Sequence, residues 1–335
     1  MRAVGGADAG PERDVDSGSG EAVVARVDFG ACVLLLDDGA LIVARARGKL
    51  MGPRKSLGNT VVVGDRVRWE RTPSSGRAAD EAVLESVTPR RSWFSRRASG
   101  GRAAEQVVAA DPDQVVLVTS VAEPDFSRGL ADRIFCQSEH AGLPARLVLN
   151  KMDLASRSPG VDPEGLLDDY ARAGVPGHRV CARTGEGIDE LRRACRGRRS
   201  LFVGHSGVGK SKVLNALVPG LALLEGAVNE KTGKGRHTTT AAVLVRPEAG
   251  FELIDTPGVR AFSPWGIGPG DLARTYREFQ PFLDSCRFGD CRHGGEPGCA
   301  IAAAAAAGQI ASRRYASFVK LQEELGELAA ERRPR

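Results

Sequence analysis

Gly204-His205-Ser206-Gly207-Val208-Gly209-Lys210-Ser211 matches the phosphate-loop pattern G-x-x-x-x-G-K-[ST] at every fixed position. Its three glycines let the backbone curl until several N–H groups point at one anion, a path that side chains there would obstruct. The apolar run Leu201 to Val203 precedes the loop and Lys212 to Leu217 follows with helical character, so the stretch reads as strand, loop, helix. In that setting Lys210 reaches the outer phosphates of a nucleotide and Ser211 offers a hydroxyl to Mg2+, with the rest of the loop and Lys212 as further contacts. A glycine-rich turn that matches by chance is the competing reading of the loop taken alone.

On either side of the loop the pattern alternates strand and helix. Strands are expected at Gln114 to Thr119, Ala145 to Leu149, His178 to Ala182, Ala242 to Val245 and Phe251 to Ile254, and helices at Arg128 to Ala141, Leu166 to Ala173 and Ile188 to Cys195. Such alternation, with a phosphate loop at a strand end, predicts an α/β domain built on a parallel sheet covered on both faces.

Asn150-Lys151-Met152-Asp153 falls at the carboxyl end of one of these strands, where open parallel sheets hold ligands. The Asp153 carboxylate can accept hydrogen bonds from the N1–H and exocyclic amine of guanine, and adenine offers neither donor on that edge. An ordinary strand-end turn explains N-K-x-D by itself, but not its pairing with a phosphate loop in one sheet. Cys181-Ala182-Arg183-Thr184-Gly185 resembles the S-A-[KR] base-supporting loop of GTPases, with Cys181 where Ser is usual and the Ala182 N–H facing guanine O6. Asp255-Thr256-Pro257-Gly258 fits D-x-x-G, in which the Asp holds Mg2+ through water and the Gly258 N–H senses the γ-phosphate. Between them, Gly233 to Thr240 is a basic, hydroxyl-rich loop suited to a switch, with Thr239 first and Thr238 second as the Mg2+-binding threonine.

Cys286, Cys291, His293 and Cys299 lie within one short polar segment. Three thiolates and an imidazole are the donor set of a closed, structural, tetrahedral Zn2+ site, and the intervening glycines let the chain wrap an ion. Unrelated thiols in a loop are the alternative. Cys32, Cys136, Cys181 and Cys195 are scattered and read as ordinary buried residues.

The remaining composition narrows the class. The chain has 335 residues, enough for two or three domains, and seven cysteines, an odd number that argues against a disulfide framework. There is no signal-peptide pattern at the start and no apolar stretch of membrane-spanning length, so a cytoplasmic protein without a membrane partner is expected. The net charge of +5 identifies no partner by itself, but the positives cluster: Arg45, Arg47, Lys49, Arg54 and Lys55 in one loop, and Arg90, Arg91, Arg96, Arg97 and Arg102 in the next basic string. An aromatic content of 5% predicts RNA contacts made to phosphates more than by base stacking. The expected organisation is a disordered tail over 1–20, an OB-fold barrel over 21–91, a basic linker over 92–105, the nucleotide domain over 106–265 and a zinc-binding helical domain over 266–335. Within the barrel, strands include Val61-Val62-Val63.

The motif order is rotated. The base-reading residues at Asn150 and Cys181 precede the phosphate loop, whereas an ordinary GTPase places the phosphate loop first. With this order, the phosphate loop, Gly235-Arg236-His237-Thr238-Thr239-Thr240 and the cysteine cluster, the chain resembles the circularly permuted bacterial GTPase family that assists maturation of the small ribosomal subunit, ribosome small subunit-dependent GTPase A. The resemblance runs from about Val24 to Leu321. It implies an N-terminal OB-fold, a central permuted GTPase domain and a C-terminal zinc domain. It also implies GTP and GDP with Mg2+ and one Zn2+ as ligands, and small subunits and their rRNA as partners of a monomer. Val259, after D-x-x-G, cannot orient water, so His237 is the candidate for that catalytic role alongside Lys210. A histidine that contacts phosphate or RNA is the other reading of His237. Two further readings stay open: an RNA-binding assembly factor that senses GTP with little turnover, and an ATPase.

Overall fold

The computed structural model describes residues 18–28, 31–46, 50, 60–72, 81–98, 104–158, 160–221, 241–248, 250–259 and 261–330. Strands β1 (Ser19–Val27), β2 (Ala31–Leu35), β3 (Leu41–Ala46), β4 (Arg66–Thr72) and β5 (Glu81–Val87) pair in the order β1-β2-β3-β5-β4, and β4 returns to β1. The ring therefore closes into a five-stranded barrel. Strand β1 serves two neighbours: Ser19 to Val23 pair with β4 and Val23 to Val27 with β2, with a bulge between Val24 and Arg26 that bends it. Ala22, Val24, Cys32, Leu34, Val67, Trp69 and Leu84 fill the barrel, while the opposite faces of the first two strands, with Val23, Ala25, Val33 and Leu35, join the main core of the molecule. Both faces of these strands are thus buried.

The main sheet runs β10-β9-β8-β11-β13-β12, and β12 (Val243–Glu248) continues it into the barrel by pairing with β1 at Arg26 and Val243. Strands β8 (Gln114–Ser120), β9 (Ala145–Asn150), β10 (Gly177–Arg179), β11 (Arg198–Gly204) and β13 (Phe251–Asp255) are parallel, and β12 is antiparallel to β13. The chain starts at β8, moves outward to β9 and β10, then returns to β11 on the other side of β8. Right-handed crossovers therefore place α1 (Arg128–His140) and α2 (Pro163–Arg172) on one face and α3 (Ile188–Cys195) on the other, leaving a crevice at the carboxyl ends of β8 and β11. Helix α4 (Lys210–Leu217) follows β11 directly across that crevice.

Beyond the sheet, two 3-10 segments, Leu272–Thr275 and Arg277–Ser285, lead to α5 (Ala300–Ala306) and α6 (Ser312–Ala330). Their core is separate, built on Tyr276, Phe279 and Phe318, whose rings meet edge-on at 5.3 and 5.0 Å across Phe318. Arg314 of α6 reaches out of it, fully buried, into contact with Asp132 of α1, and its Nε donates to Glu278 at 2.8 Å.

Three expectations need correction. Val61-Val62-Val63 is not a strand: the Val62 N–H donates to Asp65 Oδ2 at 2.7 Å and the Asp65 N–H to the Val62 carbonyl at 3.2 Å. The Gly64-Asp65 turn thus overrides β-branched propensity, with Gly64 at φ +93° lying where a Cβ would sit 2.2 Å from the Ala110 carbonyl. The basic stretch 92–105 is not simply a linker, because β6 (Trp93–Arg97) pairs antiparallel with β7 (Glu105–Ala110) as a two-stranded ribbon. Of the tail over 1–20, Ser19 and Gly20 belong to β1. Arg47, Lys49, Arg54, Lys55 and Arg102 lie outside the described residues, as does the switch segment with His237, Thr238 and Thr239.

Candidate nucleotide site and metal centre

The phosphate loop leaves β11 at Gly204, whose carbonyl accepts the Val259 N–H at 2.9 Å, so the segment after D-x-x-G is laced to the start of the loop. Gly207 and Gly209 take φ of +88° and +89°, a left-handed backbone that other residues adopt at a cost. A Cβ on Gly209 would also lie 2.6 Å from Asn150 Nδ2, and one on Gly204 would lie 2.6 Å from the Val118 carbonyl. The loop backbone is therefore as close to β8 and β9 as glycine allows. His205, Ser206 and Val208 complete the turn; Gly258 packs so closely that a Cβ there would meet Ser206 Cα at 3.3 Å.

Lys210, at the first turn of α4, is buried and forms an ion pair with Asp255 at the end of β13. The lysine of the phosphate-loop motif and the aspartate of D-x-x-G thus converge at one point, with Ser211 adjacent on the exposed side of α4. Burial lifts the Asp255 carboxyl above the ordinary carboxylate range, and the Lys210 ammonium only partly offsets this. Thr256 is held by its hydroxyl, which donates to the Phe202 carbonyl at 2.8 Å. Hard oxygen donors at Ser211 and Asp255 suit Mg2+.

Asn150 turned out to have a bracing role that the motif alone does not reveal. Its Nδ2 donates to the Val208 carbonyl at 2.9 Å, and its Oδ1 accepts the Ala182 N–H at 3.1 Å. One side chain thereby ties the phosphate loop to the loop after β10. Lys151 sits in the left-handed region at φ 62° and its Nζ donates to the Glu123 carbonyl, fixing the segment that follows β8. Asp153 accepts from the buried Cys181 thiol at 3.2 Å and from Arg183 Nε at 3.1 Å. The Cys181 hydrogen bond and, against burial, the Arg183 guanidinium hold its carboxyl below the usual range, so it is an anion at neutral pH. Cys181 thus performs the hydrogen-bonding job for which the motif ordinarily uses Ser. The Arg183–Asp153 ion pair is not evident from the motif, and its one sequence signal is the place of Arg183 two residues after Cys181.

At the other end of the molecule Cys286, Cys291, His293 and Cys299 bring their four ligand atoms within 4.8 Å of one another. Cys286 Sγ and Cys299 Sγ lie 3.4 and 3.8 Å from His293 Nδ1. A tetrahedral ion with metal–ligand distances of roughly 2.0–2.3 Å requires edges of about 3.5–3.8 Å. The two edges to His293 match this, and within the 4.8 Å spread the donor set suits Zn2+ once drawn in by about 1 Å. The Ala300 N–H donates to Cys286 Sγ and the Ala302 N–H to Cys299 Sγ, each at 3.4 Å. These bonds stabilise thiolates from outside the ligand set. Glu296 was not anticipated: its carboxylate accepts from Cys291 Sγ at 3.6 Å and from the Arg292 N–H at 3.0 Å.

With this geometry in place, comparison with known proteins is direct. The family model for RsgA GTPase matches residues 87–265. The small ribosomal subunit biogenesis GTPase RsgA of Gemmatimonas aurantiaca is 41% identical over 304 residues, spanning 90% of this chain and 96% of that protein. The protein of the same name from Chlorobaculum parvum is 39% identical over 315 residues, 91% of this chain and 98% of its own. Among solved structures, YjeQ from Thermotoga maritima is 29% identical with a TM-score of 0.66 over 92% of this chain and 98% of that one. YloQ, a circularly permuted GTPase, is 23% identical with a TM-score of 0.66 and speaks for the fold alone. The rotated order of base-reading and phosphate-binding motifs, the barrel ahead of the sheet and the cysteine cluster behind it agree with these matches: the chain is a circularly permuted GTPase and belongs to the RsgA GTPase family.

Proposed function

We propose that this GTPase acts in maturation of the small ribosomal subunit, binding the subunit and its rRNA as a cytoplasmic monomer and leaving on GTP hydrolysis. The observation that carries the nucleotide part is Asn150, whose two hydrogen bonds join the loop that would hold phosphates to the loop that would hold the base. Guanine is selected by the Asp153 anion, and the buried partners Cys181 and Asn150 keep that loop from relaxing around adenine. Loss of a charged hydrogen bond to the base costs about 1.5–3 kcal/mol. Gly204 to Ser211 and Lys212 cradle the phosphates, Lys210 exchanges Asp255 for phosphate oxygens, and the Gly258 N–H reports on the terminal phosphate. Mg2+, with Ser211, Asp255 and Thr239 or Thr238 as its candidate holders, supplies neutralisation of phosphate charge when bound. His237 orients the attacking water. Zn2+ at Cys286, Cys291, His293 and Cys299 is structural.

In domain terms we assign residues 19–91 to a barrel that contacts RNA, 106–265 to the GTPase and 266–335 to the zinc-binding domain. A second reading, GTP sensing with little turnover, is favoured by Val259, whose half-buried apolar side chain packs against the core. Co-sedimentation with purified small subunits tests release. Retention with a non-hydrolysable GTP analogue and loss with GDP are expected; equal retention with both would overturn the coupling.

A further inference from the structure

Trp93 is 45% exposed, one of three large apolar side chains standing in solvent among the described residues. It projects from β6 into a cavity of about 380 Å³ whose walls include Arg91, His140 and Trp265. Two of the chain's three tryptophans thus line one groove, although only 5% of the residues are aromatic. Trp265 is held there by its backbone N–H, which donates to the buried Gln137 Oε1 at 2.7 Å. Gly266, at φ +77°, lets His140 close the floor, since a Cβ would sit 3.0 Å from His140 Nε2. Trp265 and Gly266 also wall a neighbouring cavity of about 240 Å³ that Arg97 lines, so the two cavities adjoin across this shared wall. Arg97 Nε is buried there with no hydrogen-bond partner among the described residues. A guanidinium nitrogen without a partner costs free energy that an incoming anion recovers.

Trp93 donates its Nε1–H to Glu105 in the same cavity wall at 3.0 Å, which fixes the ring's orientation. That oriented indole and the buried unpaired Arg97 donor of the adjoining cavity are the complement of a nucleotide, a π-face to stack and a phosphate to receive. We propose that this groove, between the β6–β7 ribbon and the Trp265 segment, binds an unpaired stretch of RNA, one base stacking on Trp93 within the larger cavity and the adjoining phosphate meeting Arg97. Arg91, its side chain 75% exposed and only loosely paired with Asp111 at 3.9 Å and Asp113 at 4.0 Å, can swing toward a phosphate. The source of that RNA rests on the ribosomal reading above; the groove's affinity for RNA does not.

The test uses full-length protein and a fluorescein-labelled single-stranded hexa-adenylate followed by fluorescence anisotropy, a signal that does not depend on the tryptophans. An abasic oligonucleotide of the same length serves as the charge control. The expected result is binding of the hexa-adenylate, weakened about tenfold by Trp93→Leu and largely kept by Trp93→Phe, as stacking of about 1–3 kcal/mol per base predicts. Arg97→Gln lowers the logarithmic salt slope by about one. Abasic binding is unaffected by Trp93→Leu. Equal affinity of wild type and Trp93→Leu, or no hexa-adenylate binding by a protein whose GTP hydrolysis small subunits still stimulate, overturns the groove and leaves the family reading standing. Absence of stimulation with the groove intact would instead count against the ribosomal reading.

Discussion

On the proposed function, nucleotide choice turns on Asp153. Its folded-state carboxyl lies below the ordinary range, chiefly through the Cys181 thiol and then Arg183 against burial. A lowered carboxylate pKa contributes fully above the unfolded value and is lost as pH falls through the folded one. Discrimination of GTP over ATP is therefore expected to stay flat from about pH 8 to about pH 5 and to collapse only in more acid solution. Competition binding at a series of pH values checks this. Asp153→Asn should lower GTP affinity about tenfold to a hundredfold, the size of a lost charged hydrogen bond, while barely moving ATP; parallel losses for both nucleotides would point to a collapsed loop. The role proposed for Asp153 comes from the N-K-x-D motif, and the structure adds its contacts with Cys181 and Arg183. The bracing by Asn150 was not legible in that motif, since both its partners, the Val208 carbonyl and the Ala182 N–H, are backbone groups brought close only by the fold.

Elements meet at two joints, each made by arginine. At the barrel, Glu252 of β13 accepts from Arg199 Nε at 2.6 Å and Arg246 Nε at 2.9 Å. Those guanidinium groups continue to the carbonyls of Gly64 at 2.7 Å and Leu36 at 3.2 Å. Burial alone would raise the Glu252 carboxyl, but the two arginines bring it below its usual range. At the C-terminal domain, Arg314 lies between Asp132 and Glu278 with its cation 4.5 Å from the Tyr276 ring centroid. Removing one partner of a buried pair strands the other charge, so Arg314→Ala should cost about 3–5 kcal/mol in denaturant unfolding. A loss under about 1 kcal/mol would show the joint to be peripheral. The helices themselves were legible from periodicity: α3 spans the expected Ile188 to Cys195. The joints were not, because a lone arginine in a helical pattern reads as a solvated face. Nor was the β6–β7 pairing, where strand propensity is hidden among arginines. For the cysteine cluster, a chelator is expected to lower the unfolding temperature and release one Zn2+ per chain, while Cys299→Ser abolishes metal uptake. Full metal content in that variant would remove Cys299 from the ligand set.

At the scale of the molecule, one sheet runs unbroken from the base-reading edge at β10 to the barrel, because β12 pairs with β1. The permuted order has a mechanical consequence. In this chain the segment leaving D-x-x-G does not re-enter the sheet; Phe262 stacks on Phe94 of the ribbon at 5.7 Å, and the Arg97 N–H donates to the Ser263 carbonyl at 2.9 Å. From there the chain passes Trp265 into the domain that holds the cysteine cluster. The phosphate loop is thus covalently and physically in series with the surfaces proposed to meet RNA. No helix among the described residues is long and apolar enough to cross a membrane. The central claim is that hydrolysis at this site is coupled to the small subunit. Phosphate release from GTP, measured with and without purified small subunits, tests it most directly. A slow basal rate and at least tenfold stimulation are expected, abolished by Lys210→Ala and by His237→Ala, the latter with GTP affinity retained. A rate that subunits leave unchanged, or stimulation undiminished in His237→Ala, would contradict it.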